Sequence, residues 1–335
     1  MSGRCLRIVW LGVAALIVCA QSGHAETDTL RILRPVDLAT LPLLIAEHEK
    51  LIEKAAEKAD IKPLTIKWSA PGKAGPLDTL AAGQADVAAA EIVPFLIAAE
   101  ASTEKGQPVR GVAALAQRPY VLVTRIAAVK TIRDFKDSDR IAVPSKNSGP
   151  AVLLQMAAAQ EWGPDKYAKL DPLMVARSDE AAMDAVESGK GDIASHFSRS
   201  PYSDDELADS KIHRIMDSFD IAGPHSANLL VTTKAFHDAN PKLCAAVFAA
   251  LTEADQLIKA NPGHAAEIYV GIEKDHDIAV EDLSDMIGDP DLAYTTAPAG
   301  IMRLAEFMQR IGRLKRAPPS WKDLFLPEAH DLAGN

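Results

Sequence analysis

Cysteine is scarce in this sequence: there are three in 335 residues. Cys5 and Cys19 fall in the first 25 residues, so a chain that loses that segment keeps Cys244 alone, without an internal disulfide partner. Stability must then come from packing rather than covalent staples. Catalytic signatures are missing too. No GxSxG elbow, HExxH helix, Walker loop or CxxC pair follows residue 25, which removes the common hydrolase, metalloprotease, nucleotide-binding and thiol-redox patterns. Long apolar runs are confined to Ile8–Ala20, too short for a permanent membrane span. Solenoid repeats and low-complexity tracts are absent. Basic charge is in deficit, with 36 Lys and Arg against 46 Asp and Glu and a net charge of -10. Nucleic acid and anionic membranes are poor partners for such a surface.

The beginning of the chain is read as a targeting segment. Arg4 and Arg7 form a basic region before the apolar stretch, and Gly23-His24-Ala25 places small residues at a cleavage site before Glu26. Export to the periplasm is therefore expected, with residues 1–25 removed. A lipid anchor through Cys19 is the weaker reading, since Val18 stands where a small residue is expected.

Beyond the signal, strand-like and helix-like runs alternate. Leu30–Leu33, Leu64–Trp68, Val87–Ala90 and Val109–Ala116 read as strands; Leu41–Lys58, Pro76–Ala82 and Ile92–Ala101 read as helices. The rhythm restarts over Tyr120–Ile221. It argues for mostly parallel sheets with helices on both faces. Leu229–Thr233 is the last clear strand, and the remainder is helical, with Asn240-Pro241 and Asn261-Pro262 placed as cap and first helical position. Crossovers are expected near Gln117–Val121 and Gly223–Leu230. The expected organisation is 1–25 signal, 26–118 first part of lobe 1, 119–226 lobe 2, and 227–335 the return to lobe 1.

In open parallel sheets ligands sit beyond the carboxyl ends of strands. Here those ends carry Pro35-Val36-Asp37, Ser69-Ala70-Pro71-Gly72, Glu91, Gln117-Arg118, Ser145 to Gly149, Ser195-His196-Phe197-Ser198 and Ala222-Gly223-Pro224-His225. Each alone is an ordinary turn or cap. Seven in phase point to a cleft between two lobes. In "IAVPSKNSGPAVLLQMAAAQEWGP", Ser148 or Gly149 is the expected N-cap of a helix ended by a left-handed Gly163 and by Pro164, and the free N–H groups of its first turn suit an anion or carbonyl oxygen. "ESGKGD" lacks phosphate-loop spacing and reads as a turn. His48 sits on a solvated helix face, while His196 follows a buried run and serves either the cleft or a structural hydrogen bond.

With these residues in place, the chain resembles the periplasmic substrate-binding proteins of ABC importers, in the branch of nitrate, sulfonate, taurine and thiamine-precursor binders. The carriers are "LPLLIAEHEKLIEKA", "LDTLAAGQADVAAAE", "ALAQRPYVLVTR", "TIRDFKDSDRIAVPSKNSGPAVLL", "SHFSRSPY" and "SWKDLF". The resemblance implies a type II periplasmic-binding-protein fold: two α/β lobes, a hinge and a helical C-terminal tail. It implies Ser145, Asn147 and Ser148 holding ligand oxygens, with Gln117 and Ser69 facing them. Arg118 and Lys146 are the candidate basic groups. Asp37, if it faces inward, argues against a wholly anionic pocket. Trp68, Phe197 and Tyr202 are candidates to stack on a ring.

The expected ligand-binding set is thus Asp37, Ser69, Glu91, Gln117, Arg118, Ser145, Asn147, Ser148, His196, Tyr202 and Asn228, with no catalytic residue, no metal and no cofactor. The implied function is capture of a small anionic molecule, a sulfonate or carboxylate, by a monomer that hands it to an importer permease and its ATPase. The alternatives are a pyrimidine-precursor binder, a thiamine-pyrimidine-synthase-like enzyme on the same fold, or a periplasmic ligand sensor. The enzyme reading is disfavoured by the single cysteine outside the signal, because those synthases carry a cysteine-rich iron motif.

Overall fold

A computed structural model describes residues 26–61, 63–273 and 278–335 of the protein. The expected signal at residues 1–25 lies outside the described residues. Eleven strands are found among them: β1 Thr29–Leu33, β2 Thr65–Ser69, β3 Val87–Glu91, β4 Val109–Gln117, β5 Val121–Thr124, β6 Arg140–Val143, β7 Met174–Ala176, β8 Ile193–Ser198, β9 His213–Asp217, β10 Ser226–Thr233 and β11 Ala293–Tyr294. They form two sheets, ordered β11-β4-β10-β3-β1-β2 and β7-β6-β8-β5-β9. This is a two-lobed α/β architecture, and the chain crosses between its sheets through 118–120 and 223–225.

The sheets are mixed, which corrects the mostly parallel expectation. β1 pairs in parallel with β2 and β3, and β6 with β7 and β8. β10 runs antiparallel to β3 and β4, and β5 antiparallel to β8 and β9. The physical reason is the crossings. β5 and β10 each begin as the chain arrives from the other lobe, so they enter their sheets from the end where the parallel strands finish. β11, a two-residue addition on β4, was hidden by its brevity.

The stretch 41–58 also differs from expectation. It is two helices, Leu41–His48 and Leu51–Lys58, because Lys50 takes a left-handed conformation at φ 53°. The apolar spacing continues across the break and hides it from periodicity. The helix ends at Trp162 as expected, but Gly163 has φ 103° and ψ 155° rather than a left-handed helical cap, and Pro164 opens the 3-10 helix Pro164–Leu173. The Asn261 side chain caps its helix, accepting from His264 N–H, whereas Asn240 Oδ1 accepts from Thr27 N–H and its Nδ2 donates back to Phe236 O, so its side chain gives the helix Pro241–Ala260 no cap bond.

A hydrophobic cluster runs from Phe95 and Leu229 beside the first sheet to Leu153 and Phe197 in the second lobe, so the lobes share packed surface near the crossings. The C-terminal segment closes the first lobe. Phe325 lies over Gly111, where a Cβ would come within 2.4 Å of its ring, and stacks edge-on with Phe95 and Trp321. Only glycine permits that approach. Cys244 is buried and free. Among the described residues no helix is long and apolar enough to cross a membrane.

Candidate functional site

The ends of the strands bring charge together between the lobes. Asp37, just past β1, caps the 3-10 turn Leu38–Thr40 by accepting from Ala39 N–H at 2.7 Å. That cap fixes its carboxylate, whose Oδ1 lies 3.3 Å from Arg118 Nη2 and whose Oδ2 accepts from Arg199 Nη1. Arg118 leaves the end of β4 and donates through Nη1 to Ser200 O at 2.9 Å. Arg199 leaves the end of β8 and donates through Nε to Asp179 Oδ2 at 2.7 Å. Asp179 opens the helix Asp179–Ser188, where the positive end of the helix dipole favours a carboxylate. Its Oδ1 lies 3.3 Å from His196 Nε2, and His196 Nδ1 lies 2.9 Å from Glu206 Oε1.

The result is a line of alternating sign: Arg118, Asp37, Arg199, Asp179, His196, Glu206. Both ring nitrogens of His196 donate only in the imidazolium form. Burial alone would lower its pKa, but the hydrogen bonds and charges of Asp179 and Glu206 outweigh burial and raise it to about 9. His196 therefore carries its proton at neutral pH and completes the line. The sequence left its role open between cleft and structure; it makes structural bonds to two carboxylates, one of which grips Arg199.

Glu91, the last residue of β3, stands beside this line. The residue keeps some surface exposed, yet protein atoms crowd its carboxyl. That desolvation, with the neighbouring Asp179 charge, raises its pKa to about 7 against the lowering effects of Arg118 and the Gly149 amide. Asn228 lies opposite Glu91 in the β3–β10 ladder. Of the chain's five tyrosines, four sit close enough to feel these charges. Tyr202 lies under Arg199, whose guanidinium carbon is 5.8 Å from the ring centroid. Burial raises the hydroxyl pKa of Tyr120, Tyr269 and Tyr294, and the Arg118 charge opposes this in each. The Tyr294 hydroxyl and two nitrogens of Arg118, Nε and Nη2, are buried without a hydrogen-bond partner.

Six expected site residues meet in this region: Asp37, Glu91, Arg118, His196, Tyr202 and Asn228. The remaining five are placed differently. Ser69 is exposed at the end of β2, an edge strand, and its C=O accepts from Arg34 N–H. Gln117 is half-buried, its backbone paired with Ser226 and Ala293. Ser145 and Asn147 are exposed; Asn147 Oδ1 accepts from Arg313 Nη1 at 2.7 Å. Ser148 is buried as the helix N-cap, accepting from Ala151 N–H at 3.5 Å and donating to Ser145 O at 2.7 Å. Lys146 is exposed as well. Phe197 is core, packed edge-on against Tyr120, while Trp68 lies under Arg34.

Asp179, Arg199 and Glu206 were not singled out from sequence. Arg199 had a signal, since it follows a strand inside "SHFSRSPY". Asp179 looks like an ordinary acid in a helix first turn and Glu206 like an ordinary helical acid, and only the fold shows what faces them.

The family model described as NMT1/THI5 like matches residues 63–265, more than half of the chain. The chain belongs to the NMT1/THI5-like family. Solved structures show the same fold at low identity. The alkanesulfonate-binding protein SsuA from Xanthomonas axonopodis pv. citri, bound to MOPS, aligns with TM-score 0.65 and 18% identity over 91% of this chain and 96% of that one. The periplasmic aliphatic sulphonate binding protein SsuA from Escherichia coli gives 0.69 and 16% over 92% and 95%. The periplasmic nitrate-binding protein NrtA from Synechocystis PCC 6803 gives 0.67 and 15% over 90% and 87%. No curated protein matches the chain. These likenesses show that the chain has the two-lobed fold of those periplasmic binding proteins.

Proposed function

We propose that this member of the NMT1/THI5-like family is a non-catalytic, extracytoplasmic solute-binding protein that holds a small molecule between its lobes and delivers it to an ABC importer permease. One observation carries the reading. Asp37, Glu91, Arg118 and Arg199 leave the carboxyl ends of strands in both sheets and converge between the lobes, where α/β folds bind ligands. The solute carries an oxyanion, such as a carboxylate or sulfonate. The planar Arg118 guanidinium, with Nη2 paired to Asp37 and Nε left without a partner, is its seat. Export through residues 1–25 fits delivery at the outer face of a membrane. The site residues proposed are Asp37, Glu91, Arg118, Arg199, Tyr202 and Asn228, with Asp179, His196 and Glu206 orienting Arg199.

The test is a thermal-shift screen of carboxylates, sulfonates and pyrimidines, since a ligand that binds only the folded state raises the melting temperature by mass action. Mass spectrometry after prolonged incubation should recover the bound compound unchanged. A conversion product would establish an enzyme instead.

A further inference from the structure

We propose that Glu91 sets the charge class of the ligand: a molecule with an oxyanion for Arg118 and a protonated nitrogen for Glu91, carrying no net charge. The inference rests on the solute-binding reading and deepens it.

The cleft charges are nearly all spoken for. Arg118 and Arg199 both face Asp37, Arg199 also faces Asp179, and His196 stands between Asp179 and Glu206. Three positive and three negative groups cancel. Glu91 is the acid left over: among the described residues it makes no salt bridge, and the cation whose charge acts on it is Arg118, already paired with Asp37. Lys146 is exposed, and Arg313 bonds Asn147 and Gln155 outside the line. A lone anion entering here would meet an ionised Glu91 with no compensating charge, and burying uncompensated charge is costly.

Arg118 supplies the second, independent observation. It is 2% exposed and its Nη2 is ion-paired with Asp37, yet its Nε has no partner, and neither has the Tyr294 hydroxyl close to it. Donors without acceptors at one end and a surplus carboxyl at the other describe a ligand with both complements. Arg118 follows β4 and Glu91 ends β3, with β10 alone between those strands, so both ends face one cleft.

The experiment works at pH 8, above the titration of Glu91. Two triplets serve as probes: β-alanine, propionate and propylammonium; and 4-(aminomethyl)benzoate, 4-methylbenzoate and 4-methylbenzylammonium. Calorimetry on the wild type should show a zwitterion binding at least about tenfold tighter than its matched anion, the scale of one buried charge-assisted contact. In Glu91→Gln that preference should shrink to about threefold or reverse. An anion binding the wild type as tightly as its zwitterion, or a zwitterion preference untouched by Glu91→Gln, overturns the ligand class and leaves solute binding standing. Failure of every probe, with no small molecule released when natively purified protein is denatured, brings down solute binding itself.

Discussion

Two loops leave neighbouring strands of the second sheet, after β6 and after β8, and they do opposite things. The loop after β6 turns its side chains on itself and on the surface: Ser145 Oγ accepts from Asn147 N–H at 3.2 Å and Ser148 Oγ donates to Ser145 O at 2.7 Å, Asn147 meets Arg313, and only the Gly149 amide at its end reaches Glu91. The loop after β8 sends Arg199 to Asp37 on the first lobe and offers Ser200 O to Arg118. Both loops are polar strand ends. What separates them is burial of opposite charge, since exposed hydrogen bonds contribute little and buried ion pairs hold their partners in place. Hydrogen-bonding capacity marks a loop, whereas enclosed charge marks a site.

The comparison breaks most visibly at Asp37. Asp37→Asn keeps an oxygen to cap Ala39 N–H but strips the shared counter-charge from Arg118 and Arg199. Urea unfolding should show a loss of about 3–5 kcal/mol, the usual cost of leaving buried charge unpaired. A loss below about 1 kcal/mol would mean that solvent screens the line, as at any surface pair.

Next in size is the pH dependence through His196. Its folded pKa is raised from 6.5 to about 9, so its contribution is fully present below about pH 6.5 and disappears as pH rises through about 9. Wild-type stability should fall over that window by on the order of 2 kcal/mol, and His196→Gln should lose this dependence. Midpoints of urea unfolding at pH 8 and pH 10, above the Glu91 titration, decide it. Equal slopes in both proteins would place the titrating group elsewhere.

Glu91 gives a smaller effect in a different window. Its folded pKa is raised from 4.5 to about 7, so the native state binds a proton that the unfolded chain has released, and stability drops between those values as pH rises. Glu91→Gln should exceed the wild type by about 1 kcal/mol at pH 8 and match it near pH 4. A variant weaker at pH 8 would show that the ionised carboxyl gains more from the Gly149 amide and Arg118 than it loses by burial.

The architecture was legible because its signals are local. Apolar runs bounded by turn residues place β1, β2, β3, β4, β6 and β10, and Pro150 with Ser148 places the helix Gly149–Trp162. The break at Lys50 was not legible, because left-handed backbone at a lysine has no compositional mark. Half of the site was legible for the same reason as the strands, since a polar residue after an apolar run is visible in sequence. Its orientation was not: Asp37 and Ser69 end neighbouring strands, yet one is buried between arginines and the other exposed. Asp179 and Glu206 acquire meaning only from His196, 17 and 10 residues away, and that juxtaposition is a property of packing.

Asn147 is the smallest and sharpest case. From sequence it is a ligand-seating residue, and its removal would then weaken binding by about 1–3 kcal/mol. Its placement argues otherwise. The side chain is exposed and its Oδ1 already accepts from Arg313, whose Nε also donates to Gln155 Oε1 at 3.2 Å. Removing the amide leaves Arg313 anchored to buried Gln155 and frees one nitrogen to water, a change worth about 0.5 kcal/mol or less. Asn147→Ala should therefore leave the unfolding midpoint nearly unchanged. Affinity for whichever compound the thermal screen selects should also stay within about twofold of wild type. A tenfold loss with intact stability would return the loop after β6 to the site and erase the contrast with the loop after β8. A stability loss above about 1 kcal/mol with unchanged affinity would instead make the Arg313 contact a structural tie between the second lobe and the C-terminal segment.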